Sequence, residues 1–411
     1  MLSVAEVAIS APADTRRVGA AVAAAGISTF ASLYAPQPVL PQLAAAYKLD
    51  PGAASLAIGV ATTALAVAVL PLAALAQAVG RRRVIVWSVL TSAAAGLLLP
   101  LAPSFPVLLV LRALQGVAVA GFAGVGAAYL ADQVGKARLA AAVGAMIAGN
   151  SVGGMLGRLG AGFTAGPLGW RWAMAVVAAL ALACAAYTAL TLPPSHPPTR
   201  GRALAGRGTG RWRQALGPGL APAYAVGGLA MGSFVALYNA AGFRLTSPPL
   251  SLAPAAASLV FLSYALGTVS SAAAGRLESR LGRTPALVAA LLTTLAGTLL
   301  TSAAPLPLVV AGFAVLTAGF FAAHALANAW VAAQAPPEAR GTAAGAYTLC
   351  YYLGSGAGGT AGSAVYGHAG WVWLTALVAA WLLLAVLAVL AAARSGAVRP
   401  LRAPLCRDMA E

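Results

Sequence analysis

Acidic side chains are nearly missing from this sequence. Eight Asp and Glu stand against 25 Lys and Arg in 411 residues, and charge of both signs makes up only 8% of the chain. Soluble domains carry about a quarter charged residues, so this chain lacks the means to cover a water-facing surface. Cysteine is as scarce. Cys184, Cys350 and Cys406 are the only three, two of them inside apolar stretches, which excludes a disulfide framework and a CxxC metal or redox site. With no P-loop, no HExxH and no GxSxG, neither ATP use nor a hydrolytic site is written in the chain, and we expect no metal and no cofactor. A membrane carboxylate pair is absent too, which sets an intramembrane enzyme aside. What fills the chain instead is apolar: 61% of residues, with 46 Gly and 26 Pro scattered inside the apolar stretches, as membrane helices tolerate.

A helix needs about 20 apolar residues to cross the hydrocarbon core. On that rule twelve spans are expected, near 18–40, 53–79, 84–102, 105–131, 139–166, 170–192, 218–244, 254–277, 284–304, 306–333, 341–368 and 370–393. The fold class is thus all-α integral membrane. Residues 193–217, rich in Pro, Gly and Arg, read as a linker between an N-terminal bundle (18–192) and a C-terminal bundle (218–393) of six helices each. Residues 1–17 and 394–411 are expected to be short tails. The first of these lacks the basic start and cleavage pattern of a secretory signal, so we expect it to be retained.

A net charge of +17 would suggest nucleic acid in a soluble protein, but here its distribution reports orientation. With both termini inside, 20 of the 25 Lys and Arg fall on the cytoplasmic side, as expected of retained loops. Lys48, Arg171 and Arg244 fall outside, and Arg112 and Arg158 lie within spans. No nucleic-acid partner is expected. Membrane lipid is, and a monomer.

The chain also repeats itself. Phe30-Ala-Ser-Leu-Tyr34 returns as Phe234-Val-Ala-Leu-Tyr238, 204 residues later, and Leu49 to Leu56 returns as Leu252 to Leu259, 203 later. Val79-Gly80-Arg81 matches Leu281-Gly282-Arg283 at 202, and Gly166 to Trp172 matches Gly367 to Trp373 at 201. Four collinear matches at nearly constant offset argue for duplication of a six-helix unit.

Two six-helix halves joined by a basic loop resemble the major facilitator superfamily. Its loop signature between spans two and three, G-x-L-x-D-R-x-G-R-R, shows in the second half as Gly275-Arg-Leu-Glu278-Ser-Arg280-Leu-Gly282-Arg283, with Glu278 one place before the acidic position. The first copy, Ala73 to Arg82, keeps Gly80, Arg81 and Arg82 but has Gln77 for Asp. That substitution removes the acid of the charge latch the resemblance implies. Arg112-Ala-Leu-Gln115-Gly116 is similar to the R-x-x-Q-G motif of proton-coupled exporters, and Gly149 to Arg158 resembles a Gly-rich antiporter motif without its Pro. The pattern is most similar to the YnfM-like group of bacterial inner-membrane exporters, over about residues 18–393. The resemblance implies secondary transport of a small solute by alternating access, with protons as the coupling partner. A facilitator or importer of a sugar, amino acid or organic acid is the alternative.

An ionised side chain in a span costs at least about 2.5–3.5 kcal/mol, so it persists where it meets a wet cavity or a partner. Arg112 either holds substrate or modulates a proton site, or else snorkels or binds backbone carbonyls. Arg158, near the outer end of the fifth span, either snorkels or works. Gly149, Gly153, Gly154 and Gly157 are read as helix-packing residues, from their three- and four-residue spacing. His324 is the histidine placed well inside a span, and in a chain without a membrane carboxylate it is the group that could titrate, its free pKa being near 6.5. It could equally be a hydrogen-bonded histidine between helices. Asp132, beside Lys136 and Arg138, is expected to pair with those charges at the inner gate. Further cavity candidates are Tyr34, Gln37, Gln115, Asn150, Tyr238, Asn239, Tyr264, Asn328 and Tyr351. Two arginines and no acid make a neutral or anionic solute a better fit than a cation.

Overall fold

The computed structural model describes residues 15–134, 136–194 and 209–395, so most of the expected linker and tails lie outside the described residues. Every regular element among the described residues is helical: α1 (Thr15–Tyr34), α2 (Leu40–Tyr47), α3 (Pro51–Val79), α4 (Arg81–Leu98), α5 (Phe105–Gln133), α6 (Lys136–Thr191), α7 (Thr209–Ala215), α8 (Ala221–Thr246), α9 (Pro254–Ser258), α10 (Tyr264–Leu281), α11 (Arg283–Leu300), α12 (Leu306–Gln334), α13 (Arg340–Leu353) and α14 (Gly359–Arg394). Their starts follow from local chemistry. Pro51, Pro106, Pro222, Pro254 and Pro307 sit in first turns, where a missing N–H costs nothing, and Asp50 caps α3 by accepting from the Ala53 N–H at 3.0 Å. Gly80 (φ 96°) and Gly282 (φ 82°) turn the chain between α3 and α4 and between α10 and α11, in a backbone region that side chains resist.

Among the described residues, ten helical stretches are long and apolar enough to cross a bilayer. Two of them, Ala141–Thr191 with 51 residues and Arg340–Arg394 with 55, would each run more than twice the roughly 30 Å of hydrocarbon at about 1.5 Å per residue. Both contain a glycine with positive φ, Gly169 at 75° and Gly370 at 82°, where the backbone leaves helical geometry. The chain is a multi-pass membrane protein. Two expected spans are less regular than a straight helix. The first breaks after Tyr34, where Pro36 and Pro38 force a turn and a 3-10 segment, Gln37–Val39, before α2. The eighth is divided into α9, a 3-10 segment Leu259–Ser263 and α10.

Hydrophobicity alone cannot say which face of such a helix is interior, since lipid and core are both apolar. Alanine is the commonest residue at buried positions, although Trp330, Tyr129 and Phe313 are fully buried as well, while Val67, Trp87, Leu190, Trp172 and Val372 face outward. In the first half α1 packs along α6, and α3 and α4 pack on α5; in the second, α8 packs on α14, and α10 and α11 pack on α12. A β-carbon at Gly149, Gly153 or Gly157 would collide with the backbone of Ala23, Ile27 or Ala31, so α6 lies directly on α1. Gly354 and Gly358, in a π-helical turn before α14, meet Gly228 and Gly232 in the same way.

The halves meet most closely at one end, where α2 packs on α8, α6 on α9 and α3 on α14, and where Pro41 lies against Gly242. At the opposite end the root of the connection is fastened to the first half. Tyr129 Oη donates to the Pro193 carbonyl at 2.7 Å, and Arg82 donates from Nε to Leu192 O at 2.7 Å and from Nη2 to Ala189 O at 3.0 Å.

Candidate functional site

The proline turn after α1 builds the site. It drives Gln37 inward to 1% exposure, where its Oε1 accepts from Arg158 Nε at 2.6 Å and its Nε2 donates to Asn239 Oδ1 at 2.8 Å. One amide thus joins α6 of the first half to α8 of the second. Arg158 is 3% exposed. Its Nη1 donates to Gly154 O at 2.8 Å, and its guanidinium carbon lies 4.0 Å from the Tyr34 ring centre, 4.5 Å from that of Tyr264 and 5.5 Å from that of Phe261. Aromatic faces stabilise a desolvated cation by about 0.5–2 kcal/mol each. Arg158 therefore does not snorkel; aromatic rings and amides hold it inside the protein. It borders a cavity of about 110 Å³ between the halves, whose walls include Tyr34, Asn150 and Gly154 from the first half and Tyr264, Phe320 and Tyr351 from the second. Gly154, whose spacing groups it with the packing glycines, faces this cavity, and a β-carbon there would meet the side chains of Arg158 and Tyr34 and not the α1 backbone.

Arg112 is drawn elsewhere, for a reason local to α1. Pro36 has no N–H to give the Ser32 carbonyl, and α1 ends before Leu33 finds its usual partner. Arg112 supplies both donors, from Nη1 to Ser32 O at 3.1 Å and from Nη2 to Leu33 O at 2.5 Å, while its Nε reaches Ala57 O at 2.5 Å. A cation at a helix C-terminus also suits the helix dipole. Gln115 accepts from Arg112 and donates to Ser92 O at 2.9 Å. Arg112 is fully buried, its donors engaged by the protein, and neither it nor Gln115 is a wall of the cavity; the carbonyl-binding alternative describes its geometry.

His324 stands one shell back. Its Nδ1 lies 2.8 Å from Tyr347 Oη, and its ring is 4.6 Å from that of Tyr351, a cavity wall. Tyr238 is also behind the wall: its hydroxyl lies 2.5 Å from Ser263 Oγ and 2.7 Å from Thr317 Oγ1, and its ring packs on Tyr264. Asn239 has its Nδ2 buried without a protein partner among the described residues. Asn328 is exposed and takes no part.

The profile of the Major Facilitator Superfamily matches residues 22–262 and again 229–405. The chain belongs to the major facilitator superfamily. Among its relatives, the inner membrane transport protein YnfM of Escherichia coli (strain K12) is 37% identical over 90% of this chain and 89% of its own. The MFS-type transporter YybF of Bacillus subtilis (strain 168) is 33% identical over 90% of this chain and 92% of its own. The fold matches that of a bacterial homologue of the human lysosomal transporter Spinster, solved inward-facing and unoccupied, with a TM-score of 0.77 at 16% identity, covering 93% of this chain and 97% of that one. It also matches the nucleoside transporter NupG, with a TM-score of 0.75 at 14% identity over 91% and 99%. This member of the superfamily is a secondary transporter of the inner membrane, and not an enzyme.

The superfamily's loop signature takes a modified form here. In the first loop, where Gln77 replaces the acid, Asp132 from α5 forms an ion pair with Arg81, whose Nη1 also donates to Ala128 O at 3.0 Å. Beside the expected neighbours Lys136 and Arg138, Arg81 is a partner of Asp132 that spacing along the chain does not indicate. In the second loop the displaced Glu278 reaches across Gly282 to Arg283, Oε1 to Nε 2.8 Å, while Gly275 and Arg280 stay exposed. Phe234, Phe320 and Phe321 were missed by the sequence reading. Phe234 and Phe320 stack with ring centres 4.1 Å apart, and Phe321 meets Phe320 edge-on at 5.3 Å. The signal for Phe234 was there, in the repeat that pairs it with Phe30.

Proposed function

We propose that this transporter crosses the membrane twelve times, with Gly169 and Gly370 each parting two crossings, and exports a small solute from the bacterial cytoplasm in exchange for protons. Both termini and the connection lie on the cytoplasmic side in this reading, supported by the placement of Lys and Arg. The halves rock about the central cavity, exposing it to each side in turn. The observation that carries the reading is that the cavity is walled by both halves and holds Arg158, a buried cation joined to the second half through Gln37 and Asn239. Relative movement of the halves must remake that connection. His324 is the proton carrier, because it touches the wall residue Tyr351 and because the four described acids, Asp50, Asp132, Glu278 and Glu338, all lie in loops or near helix ends. Export rests on the likeness of Arg112 to Gly116 to the exporter motif.

The test uses vesicles containing the protein and an internal pH dye, challenged with anionic, neutral and cationic solutes under an imposed pH gradient. Solute-evoked proton movement is expected in the wild type and absent in His324→Gln, with solute binding retained. The same lack of a membrane carboxylate favours a second reading, a facilitator. Solute flux that ignores the pH gradient, and that His324→Gln leaves intact, would establish that reading and remove protons from the mechanism.

A further inference from the structure

The cavity contains one guanidinium and no acid to balance it. The ion pairs Arg81 with Asp132 and Arg283 with Glu278 both lie at helix ends away from Arg158. At 3% exposure Arg158 is cut off from bulk water, and aromatic faces and two oxygen acceptors offset its charge only in part. A bound anion would complete the balance. No second Lys or Arg is among the cavity walls, so the match is to a single negative charge. The second half's share of the wall is aromatic: Phe234 and Phe320 lie stacked, Phe321 stands edge-on to Phe234, and so does Tyr264, which also packs on the Arg158 guanidinium. At about 110 Å³ the space is far below the roughly 300–1,000 Å³ that pockets for drug-sized ligands offer.

From these three features we infer that the transported solute is a small aromatic monocarboxylate, its carboxylate on Arg158 and its ring against the phenylalanines of the second half. This rests on the carrier reading above and deepens it by naming the substrate class. Planar carboxylate and planar guanidinium suit paired hydrogen bonds, and a flat ring suits a slot bounded by ring faces and edges. Asn150, on the same wall, offers an amide to a ring substituent.

The probes are benzoate, its neutral isostere benzamide, the cation benzylamine and the ring-free butyrate, titrated calorimetrically into purified protein in lipid nanodiscs. Benzoate is expected to bind at least about 30-fold tighter than benzamide or benzylamine, and about 10-fold tighter than butyrate. Arg158→Gln should erase the preference over benzamide, and Phe320→Ala the preference over butyrate. Arg158→Lys keeps the charge and should retain part of the affinity, so the inference stays open to test if Arg158→Gln does not fold. Benzamide binding as tightly as benzoate, or no binding of benzoate, would overturn the inference. Labelled benzoate uptake into vesicles separates the two readings. Benzoate bound at Arg158 but never carried would sink the carrier reading and leave the site, whereas benzylamine carried and benzoate ignored would do the reverse.

Discussion

The two halves share a skeleton and differ in what fills it. Helices α5 and α12 both run 29 residues, and α4 and α11 both run 18, each pair bounded by the same kinds of turn. On the α5 and α12 register, Arg112 corresponds to Phe313. The first half places a guanidinium there to satisfy the carbonyls that Pro36 leaves open at the end of α1; the second packs Phe313 against Tyr238 and Trp371 at 5.2 and 6.2 Å. The contrast extends to the cavity, where the first half brings Arg158 and Asn150 beside Phe30 and Tyr34, and the second brings rings without a charge. Helix length and small-residue spacing set the fold, and side chains that the fold does not require are free to diverge into two chemically unlike walls.

That contrast can be broken at several points. Phe313→Ala, which empties a fully packed site, is expected to lower stability by about 3–5 kcal/mol. Arg112→Gln, which orphans buried carbonyls, should lower it by about 1–3 kcal/mol. Thermal unfolding in detergent would compare the two, and equal binding of solute by a folded Arg112→Gln protein would confirm that this arginine serves α1. Neighbouring glycines separate packing from site. Gly153→Val forces α6 off the Ile27 backbone and should cost about 1–3 kcal/mol. Gly154→Ala adds its methyl 3.0 Å from Arg158 Nη1, so it should leave the unfolding temperature nearly unchanged and weaken solute binding several-fold. Smallest is the difference between the loops. Glu278→Gln removes a sheltered partner of Arg283 and should cost about 1–2 kcal/mol, whereas Asp132→Asn breaks a pair open to water and should cost less than about 1 kcal/mol. A larger effect at Asp132 would mean that the first loop holds more than its own half.

The family and the helical membrane fold were legible because lipid demands long apolar helices and duplication leaves collinear echoes. The site was legible only in its residue types. Tyr34, Gln37, Asn150, Tyr264 and Tyr351 are named by being polar or aromatic in an apolar span, and they do converge. Motif resemblance pointed to both Arg112 and Arg158, and the cavity is lined by Arg158 alone of the two. The reason is the turn at Pro36, which creates a demand for donors beside Arg112, and no count of residues along the chain shows which arginine will meet it. The aromatic wall was hidden for a related reason. In a membrane protein Phe320 and Phe321 look like any lipid-facing residues until the packing of α12 against α8 and α10 gives them a direction.

The hydrogen bonds that hold Pro193, Leu192 and Ala189 to Tyr129 and Arg82 have a mechanical meaning. The strap between the halves begins later than its composition suggests, because its first residues are riveted to the ends of α4 and α5. Tension applied by a moving second half is delivered to the rigid frame of the first without slack being taken up at the root, and loosening those rivets would lengthen the strap without adding a residue.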